Sequence, residues 1–343
     1  MDGAPQLVSP YPRFKTFPTP GANVAFKFGI LTDFGENGSS QPPVPHNVAT
    51  FQQMDADHPD FVIIGGDFGH KNVGTLEDKR QVFKDLYSFH STAGRYDSFV
   101  NQILRRYPVA HMWDDHDYGK NNGNKMYPYK QLTYQVLTEY FPTYALSQYG
   151  DWQKFTYAQT EFFLLDSRSQ RDPNREPDGP LKSMLDGDNL GAEGQLEWLE
   201  QGLLSSTAVW KFIVTPVVFN KTLPKQDSWY GFGYEREQLA QFIRSHAISN
   251  VILLSGDAHF GAIDNGTNSG FPEMLTPGPN LLYCSTVSAS GNWSEGIYRT
   301  TQHGPPCNGY SMVAVEANPP RVSLKVKDTQ GKTKLRLIVN STE

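Results

Sequence analysis

Aspartates and histidines stand just beyond the ends of several short apolar runs in this chain. Asp33 follows Gly29-Ile-Leu-Thr32, and Asp67 and His70 follow Ile63-Ile-Gly-Gly66. Asp114, Asp115, His116 and Asp117 follow His111-Met-Trp113, and Asp257 and His259 follow Leu253-Leu-Ser-Gly256. A single aspartate after a strand is commonly no more than a helix N-cap, and a single histidine can be a satisfied core residue. Trp113-Asp-Asp-His116 resists that explanation, because consecutive ionisable side chains beside a buried run are costly unless something pairs them. Carboxylates packed together repel and raise one another's pKa, so segments that aim them at one place need cations there. A divalent-metal site is the expectation.

The ligand types divide into two positions. Asp33, Asp67, His70 and His259 would make a mixed nitrogen–oxygen position suited to Fe, Zn or Mn. Asp67, Asp115 and Asp257 would make an oxygen-only position suited to Ca, Mg or Mn. Asp67, with two oxygens, can bridge both ions. Two divalent ions would then balance the four carboxylates, and ions paired about 3.5–4 Å apart are the usual apparatus for in-line displacement at phosphorus.

Only a particular scaffold brings such segments together. The apolar runs Ala25–Leu31, Phe61–Ile64, Val109–Trp113, Phe162–Leu165, Phe212–Val214 and Val251–Leu254 have the length and β-branched content of buried strands. Between them Leu76–Phe89, Tyr129–Phe141, Glu193–Leu204 and Glu235–His246 carry apolar residues three or four apart and read as helices. Alternation of strand and helix predicts a layered α/β fold with a mostly parallel sheet, whose ligand crevice lies outside the carboxyl ends of the strands. The tail differs: Ser311–Val315, Arg321–Val326 and Leu335–Val339 read as an antiparallel meander turning at Gly331. Residues 1–23, with Pro5, Pro10, Pro12, Pro18 and Pro20, form an extended lead-in to one domain over 24–343.

Composition excludes several classes. Aromatic content of 13% is too high for a disordered chain, and a net charge of −6 argues against a nucleic-acid-binding surface. No run approaches the roughly 18 apolar residues of a membrane span. The start, Met-Asp-Gly-Ala-Pro5, has neither the basic nor the apolar region of a signal peptide. Sequons at Asn37, Asn220, Asn265, Asn292 and Asn340 nevertheless lean toward a secreted or extracytoplasmic protein whose leader is not in this chain. Cys284 and Cys307 could form one bridge or remain two thiols. Oligomeric state is not legible.

Asp33, Gly66-Asp67, Asp115-His116 and Gly256-Asp-Ala-His259 resemble the motifs of the calcineurin-like metallophosphoesterases. Within them, Trp113-Asp-Asp-His-Asp-Tyr-Gly-Lys-Asn-Asn122, Leu165-Asp-Ser-Arg168 and Leu254-Ser-Gly-Asp-Ala-His259 resemble the PhoD-like alkaline phosphatases. The likeness extends over nearly the whole chain, including Arg13-Phe-Lys-Thr-Phe-Pro18 and the terminal strands. It implies a sandwich of two mixed sheets flanked by helices, two metal ions, and hydrolysis of a phosphomonoester substrate by direct attack of metal-bound hydroxide. Activity on phosphodiesters, of the phospholipase D kind, is the alternative on the same site; a non-catalytic metal-binding relative is another.

The departures from the pattern bear on the metals. Phe34 and Gly35 follow Asp33 where the superfamily has Asp-x-His, and His70 is the substitute ligand. Asp115 stands for the usual Asn before the catalytic His, and Asp257 for the first His of Gly-His-x-His. No His follows the fifth strand, where Thr215 or a water would fill the position. The second position therefore becomes harder and more calcium-like. His116, beside a ligand without being needed as one, is the candidate to protonate the leaving alkoxide or stabilise the transferring phosphoryl group. Arg168 could fork onto phosphate oxygens or pair with Asp166 or Asp172, while Tyr118, Asn121 and Asn122 would orient substrate. Trp113 reads as core.

Overall fold

A computed structural model describes residues 15–34, 49–67, 75–86, 97–279, 291–299 and 308–342. In chain order the elements are β1 (Phe26–Leu31), α1 (Ala49–Ala56), β2 (Phe61–Ile64), α2 (Leu76–Leu86), α3 (Asp97–Phe99), β3 (Val109–His111), α4 (Asp115–Tyr118) and α5 (Lys130–Tyr140). Then come β4 (Gln153–Tyr157), β5 (Thr160–Leu164), α6 (Gln195–Ser205), β6 (Trp210–Val214), α7 (Gly233–Ser245) and β7 (Val251–Ser255). The chain closes with β8 (Gly261–Asn265), β9 (Pro272–Leu275), β10 (Ile297–Tyr298), β11 (Gly309–Ala317), β12 (Pro320–Asp328) and β13 (Thr333–Asn340). Among the described residues no helix is long and apolar enough to cross a membrane.

The strands form two sheets rather than the single, mostly parallel one that alternation suggests. One runs β13-β12-β11-β1-β2-β3, the other β10-β8-β9-β7-β6-β5-β4. Each has a parallel centre, β1-β2-β3 and β5-β6-β7-β9, continued by antiparallel strands. The terminal meander is present, and its first strand pairs antiparallel with β1. Gly331, at φ +78°, turns β12 into β13. Strands β4 and β8–β10 were not expected. They are two to five residues long, and β4 (Gln-Lys-Phe-Thr-Tyr) alternates polar with aromatic residues over a span too short to stand out.

The sheets face each other across an aromatic core. Phe28 stacks on Phe61 at 5.1 Å within one sheet and meets Phe162 edge-on, also at 5.1 Å, from the other. Phe162 stacks in turn on Phe212 at 5.2 Å. Such pairs contribute about 0.5–1.5 kcal/mol each beyond the area they bury, and here they lock one sheet against the other. Phe17, from the Pro-rich lead-in, packs on this core against Tyr157 at 4.7 Å. Separate apolar clusters lie under α1, α2 and α5 on one side and under α6 and α7 on the other. The result is a four-layer α/β/β/α sandwich whose sheets are tied together rigidly below the ends that matter for chemistry.

Strand β3 stops at His111, two residues short of the expected run. Met112 still donates to Ile64 O at 3.1 Å, but the Trp113 amide leaves the ladder for Asp151 Oδ2 at 2.9 Å. That exchange turns the chain at the carboxyl end of β3 and releases Asp114–Asp117 from the sheet.

Candidate metal centre

Register fixes where the acidic segments end. Leu31, Ile64 and His111 stand side by side at the ends of β1, β2 and β3. Asp33, Asp67 and Asp114-Asp115 therefore emerge together from one sheet, while Asp257 and His259 follow β7 in the facing sheet. The backbone bends sharply to bring them inward: Asp33, Asp67, Asp257 and His259 have φ of 55°, 53°, 65° and 57°. Left-handed backbone at non-glycine residues costs free energy and persists where surrounding structure enforces it, often at functional sites. Gly66 permits the closest approach. Its φ is +100°, and a Cβ there would lie 2.6 Å from Asp114 Cβ.

Potential ligand atoms of Asp33, Asp67 and His259 lie within 4.8 Å of one another, and so do those of Asp67, Asp114, Asp115 and Asp257. Asp67 belongs to both groups, and also to a third with Asp115 and His116. His259 Nε2 is 3.3 Å from Asp33 Oδ1, and Thr32 Oγ1 donates to Asp33 Oδ2. The Asn122 amide donates to Asp115 Oδ2 at 2.6 Å, and the His116 amide to Asp67 Oδ1 at 3.2 Å. His70 lies outside the described residues, as do Cys284 and Cys307.

These residues fit divalent cations. Asp114 Oδ2 and Asp115 Oδ1 are buried and accept no hydrogen bond among the described residues, although buried carboxylate oxygens are ordinarily paired. Burial raises Asp114 well above the usual carboxylate range and pushes Asp257 up to about 7. Burial acts on Asp115 too, but Arg168, His116 and the Asn122 amide outweigh it and hold that group below its usual range. Among the described residues the carboxylates of the cluster outnumber the cations beside them, the condition that a bound cation relieves.

Among the described residues Arg168, Arg171 and Lys225 flank it, and of these the sequence singles out only Arg168. Its side chain is fully buried: Nε donates to Asp114 Oδ1, and the terminal nitrogens fork onto Asp227, not onto Asp166 or Asp172. Arg171 pairs with the same Asp227 at 2.7 Å. Lys225 donates to the Asp257 carboxylate and, at 3.0 Å, to the Asp257 carbonyl. Burial opposes its charge, but Asp257, Asp227 and Asp115 outweigh that and raise its pKa. Lys225 and Asp227 sit in an irregular loop after β6 with no periodicity or motif around them, so no local signal marks them. Asp114 had one, its place in the Asp-Asp-His run, but it was passed over as a ligand.

The residues expected to touch substrate are spread differently. His116 is partly exposed, with Nε2 at 4.0 Å from Asp115 Oδ1. Asn121 and Asn122 are exposed in the turn beyond α4. Tyr118 is fully buried and donates to Asn124 O at 3.1 Å, a role in holding that turn. Trp113 is core, packed on Tyr118. Thr215, expected as a stand-in ligand, instead donates to Val217 O at 3.1 Å and accepts from Trp229 Nε1 at 3.0 Å. Phe34, the residue after Asp33, is buried against Phe99 and Phe51, and Gly35, at the position of the superfamily's imidazole, lies outside the described residues.

Comparison with known proteins places the chain in a family. The chain is 28% identical over 295 residues to alkaline phosphatase D of Bacillus subtilis (strain 168), an alignment covering 74% of this chain and 49% of that protein. A solved PhoD structure superposes with a TM-score of 0.66 at 20% identity, over 97% of this chain and 75% of that one. Purple acid phosphatase PPD1 of yellow lupin (Lupinus luteus) shares the fold at a TM-score of 0.61 and 14% identity, covering 95% of this chain and 56% of that one. The sandwich is thus that of the calcineurin-like metallophosphoesterases. This chain spans about half the length of the Bacillus relative. The family model for PhoD-like phosphatases matches residues 44–276, more than half of the sequence, and the chain belongs to that family.

Proposed function

We propose that this protein hydrolyses phosphate esters, with phosphomonoesters as the preferred class, at the cluster where the two sheets' carboxyl ends meet. The observation that carries the reading is the pair of groups sharing Asp67, which join a mixed Asp33–His259 side to an all-carboxylate Asp114–Asp115–Asp257 side, next to the partly exposed His116. Asp33, Asp67 and His259, with His70, would hold one ion; Asp67, Asp115 and Asp257, with Asp114, would hold the other. Bound there, divalent ions would lower the pKa of a water and neutralise charge developing on the phosphoryl oxygens.

The chain's own residues supply the rest. His116 Nε2, oriented by the short α4 turn and close to Asp115, is the proton donor to the departing oxygen. Asn121 and Asn122 lie exposed beside it as amide donors for a substrate oxygen. Arg168 fixes Asp114 and Asp227, so that the segment carrying Asp115 and His116 cannot swing away. No Ser or Cys nucleophile is needed.

The test is turnover of para-nitrophenyl phosphate and bis-para-nitrophenyl phosphate by metal-supplemented and chelator-treated protein. A metal-dependent preference for the monoester supports the reading, and a preference for the diester moves the activity to phosphodiester cleavage. Bound metal with no turnover of either would make the chain a metal-binding relative without catalysis.

A further inference from the structure

One cation is built into the acidic cluster itself. Lys225 reaches in from the loop after β6, and its ammonium donates to both the carboxylate and the main-chain carbonyl of Asp257. Asp115 and Asp227 also lie close enough to act on its charge, so it serves the all-carboxylate side. Its setting differs from that of Arg168. The arginine has no exposed side-chain surface and is hydrogen-bonded to Asp114 and Asp227, with Asp257 at 4.0 Å, whereas the Lys225 side chain is 31% exposed and, among the described residues, is paired with Asp257. The arginine is enclosed, whereas part of the lysine side chain is in contact with solvent.

An ammonium and a divalent ion cannot both take the same face of Asp257. We propose that Lys225 is a built-in competitor for the all-carboxylate metal position: a divalent ion uses Asp257 only by displacing it, which keeps that position weaker and more exchangeable than the one on Asp33, Asp67 and His259. The inference rests on the cluster being a metal centre and adds that the chain's own lysine sets the strength of one half of it. A unit charge about 5 Å from a divalent ion, partly screened by solvent, changes affinity by about tenfold or more.

Calorimetric titration of calcium into chelator-stripped, dialysed protein tests this on the wild type and on Lys225→Met, Lys225→Gln and Lys225→Arg. The two neutral variants are expected to bind a calcium ion about tenfold or more tightly than the wild type, and Lys225→Arg within about threefold of it. The calcium-induced rise in melting temperature should also be larger in the neutral variants, whose metal-free cluster has lost its counter-ion. Affinity unchanged or weakened in Lys225→Met and Lys225→Gln overturns the proposal while leaving the metal centre intact. Absence of divalent-ion binding in the wild type overturns the metal centre and this proposal with it. Gln keeps a hydrogen-bond donor at the position, so a folding defect peculiar to Met does not decide the outcome.

Discussion

Arg168 grips Asp227 through three hydrogen bonds of 3.1 Å in a fully buried site. The two residues come from separate loops, and the same guanidinium holds Asp114 through Nε, so one side chain ties the carboxyl ends of β3, β5 and β6 together. A planar fork does this and an ammonium cannot. Arg168→Lys should therefore keep metal content and KM near wild type but lower kcat by about 10–100-fold, because displacing the Asp114–His116 segment by a fraction of an ångström misaligns it. Steady-state kinetics with elemental analysis checks this. A rise in KM with kcat preserved would mean that Arg168 meets the substrate phosphate after all.

His116→Ala should retain its metals and lose most turnover on alkyl phosphates, whose leaving oxygens need a proton. General acid catalysis contributes about 10²–10⁴-fold. The loss should shrink on para-nitrophenyl phosphate, since that leaving group departs as a stable anion. The ring lies near Asp67 and Asp115, so metal content must be measured as well. Loss of an ion from the variant would make His116 a ligand.

Acid should weaken the fold through His111. This residue closes β3, stacks on Phe141 at 3.6 Å between ring centres, and is pushed down to about 3 by burial. Its folded value is depressed, so the unfolded chain binds a proton that the folded one refuses. The stability it permits is complete above about pH 6.5 and lost progressively as pH falls toward 3. At pH 5 the penalty is about 2 kcal/mol. Urea titrations at pH 7 and pH 5 should show that loss in the wild type and a smaller one in His111→Phe, which keeps the stacking without the proton.

Much of this was legible because chemistry and topology share one signal. Apolar runs such as Phe61–Ile64 announced strands, and the aspartates beyond them announced a crevice, since a buried run cannot end in ionisable residues for nothing. The division into two sheets was not readable from alternation, because β5-β6-β7 repeats the pattern of β1-β2-β3 and only long-range pairing assigns each to its own sheet. The cationic half of the centre was the larger omission. Lys225 and Asp227 are ordinary loop residues until folding puts them beside Asp257 and Arg168. Tyr118, expected to orient substrate, is buried at the end of α4, because a polar group in a sequence does not report its burial.

Gly66→Ala should damage the site more than the fold. The new methyl would meet the backbone and Cβ of Asp114 within 3 Å, and alanine strains at φ +100°. Both effects act where Asp67 and Asp114 cross. The variant should melt several degrees lower and bind divalent ions at least about tenfold more weakly, because the bridging Asp67 is displaced. Calcium titration and thermal melts measure both, and unchanged metal affinity would show that Asp67 is not shared between two ions.

The two positions should also differ in kind. Asp257 presents a carboxylate where the family pattern has an imidazole, Asp115 presents a charged carboxylate where it has a neutral amide oxygen, and Asp114 adds a further buried oxygen with no hydrogen-bond donor among the described residues. Hard ions such as calcium prefer such ligands and exchange readily, whereas a position with imidazole suits iron, zinc or manganese. A calcium-selective chelator should therefore abolish activity reversibly while an ion stays on Asp33, Asp67 and His259, and calcium should restore it. Asp257→His should shift the preference of the all-carboxylate side toward zinc or manganese, and it also removes the carboxylate to which Lys225 binds. Exchanging Lys for Met at position 225 should then change metal affinity by less than it does beside Asp257, because the carboxylate contact is gone and only the charge of Lys225 remains, a coupling that a double-mutant cycle reads directly. Full activity after calcium stripping, or zinc in both positions of the purified protein, would refute this assignment of hard and soft sides while leaving the phosphoesterase reading to stand on its own turnover data.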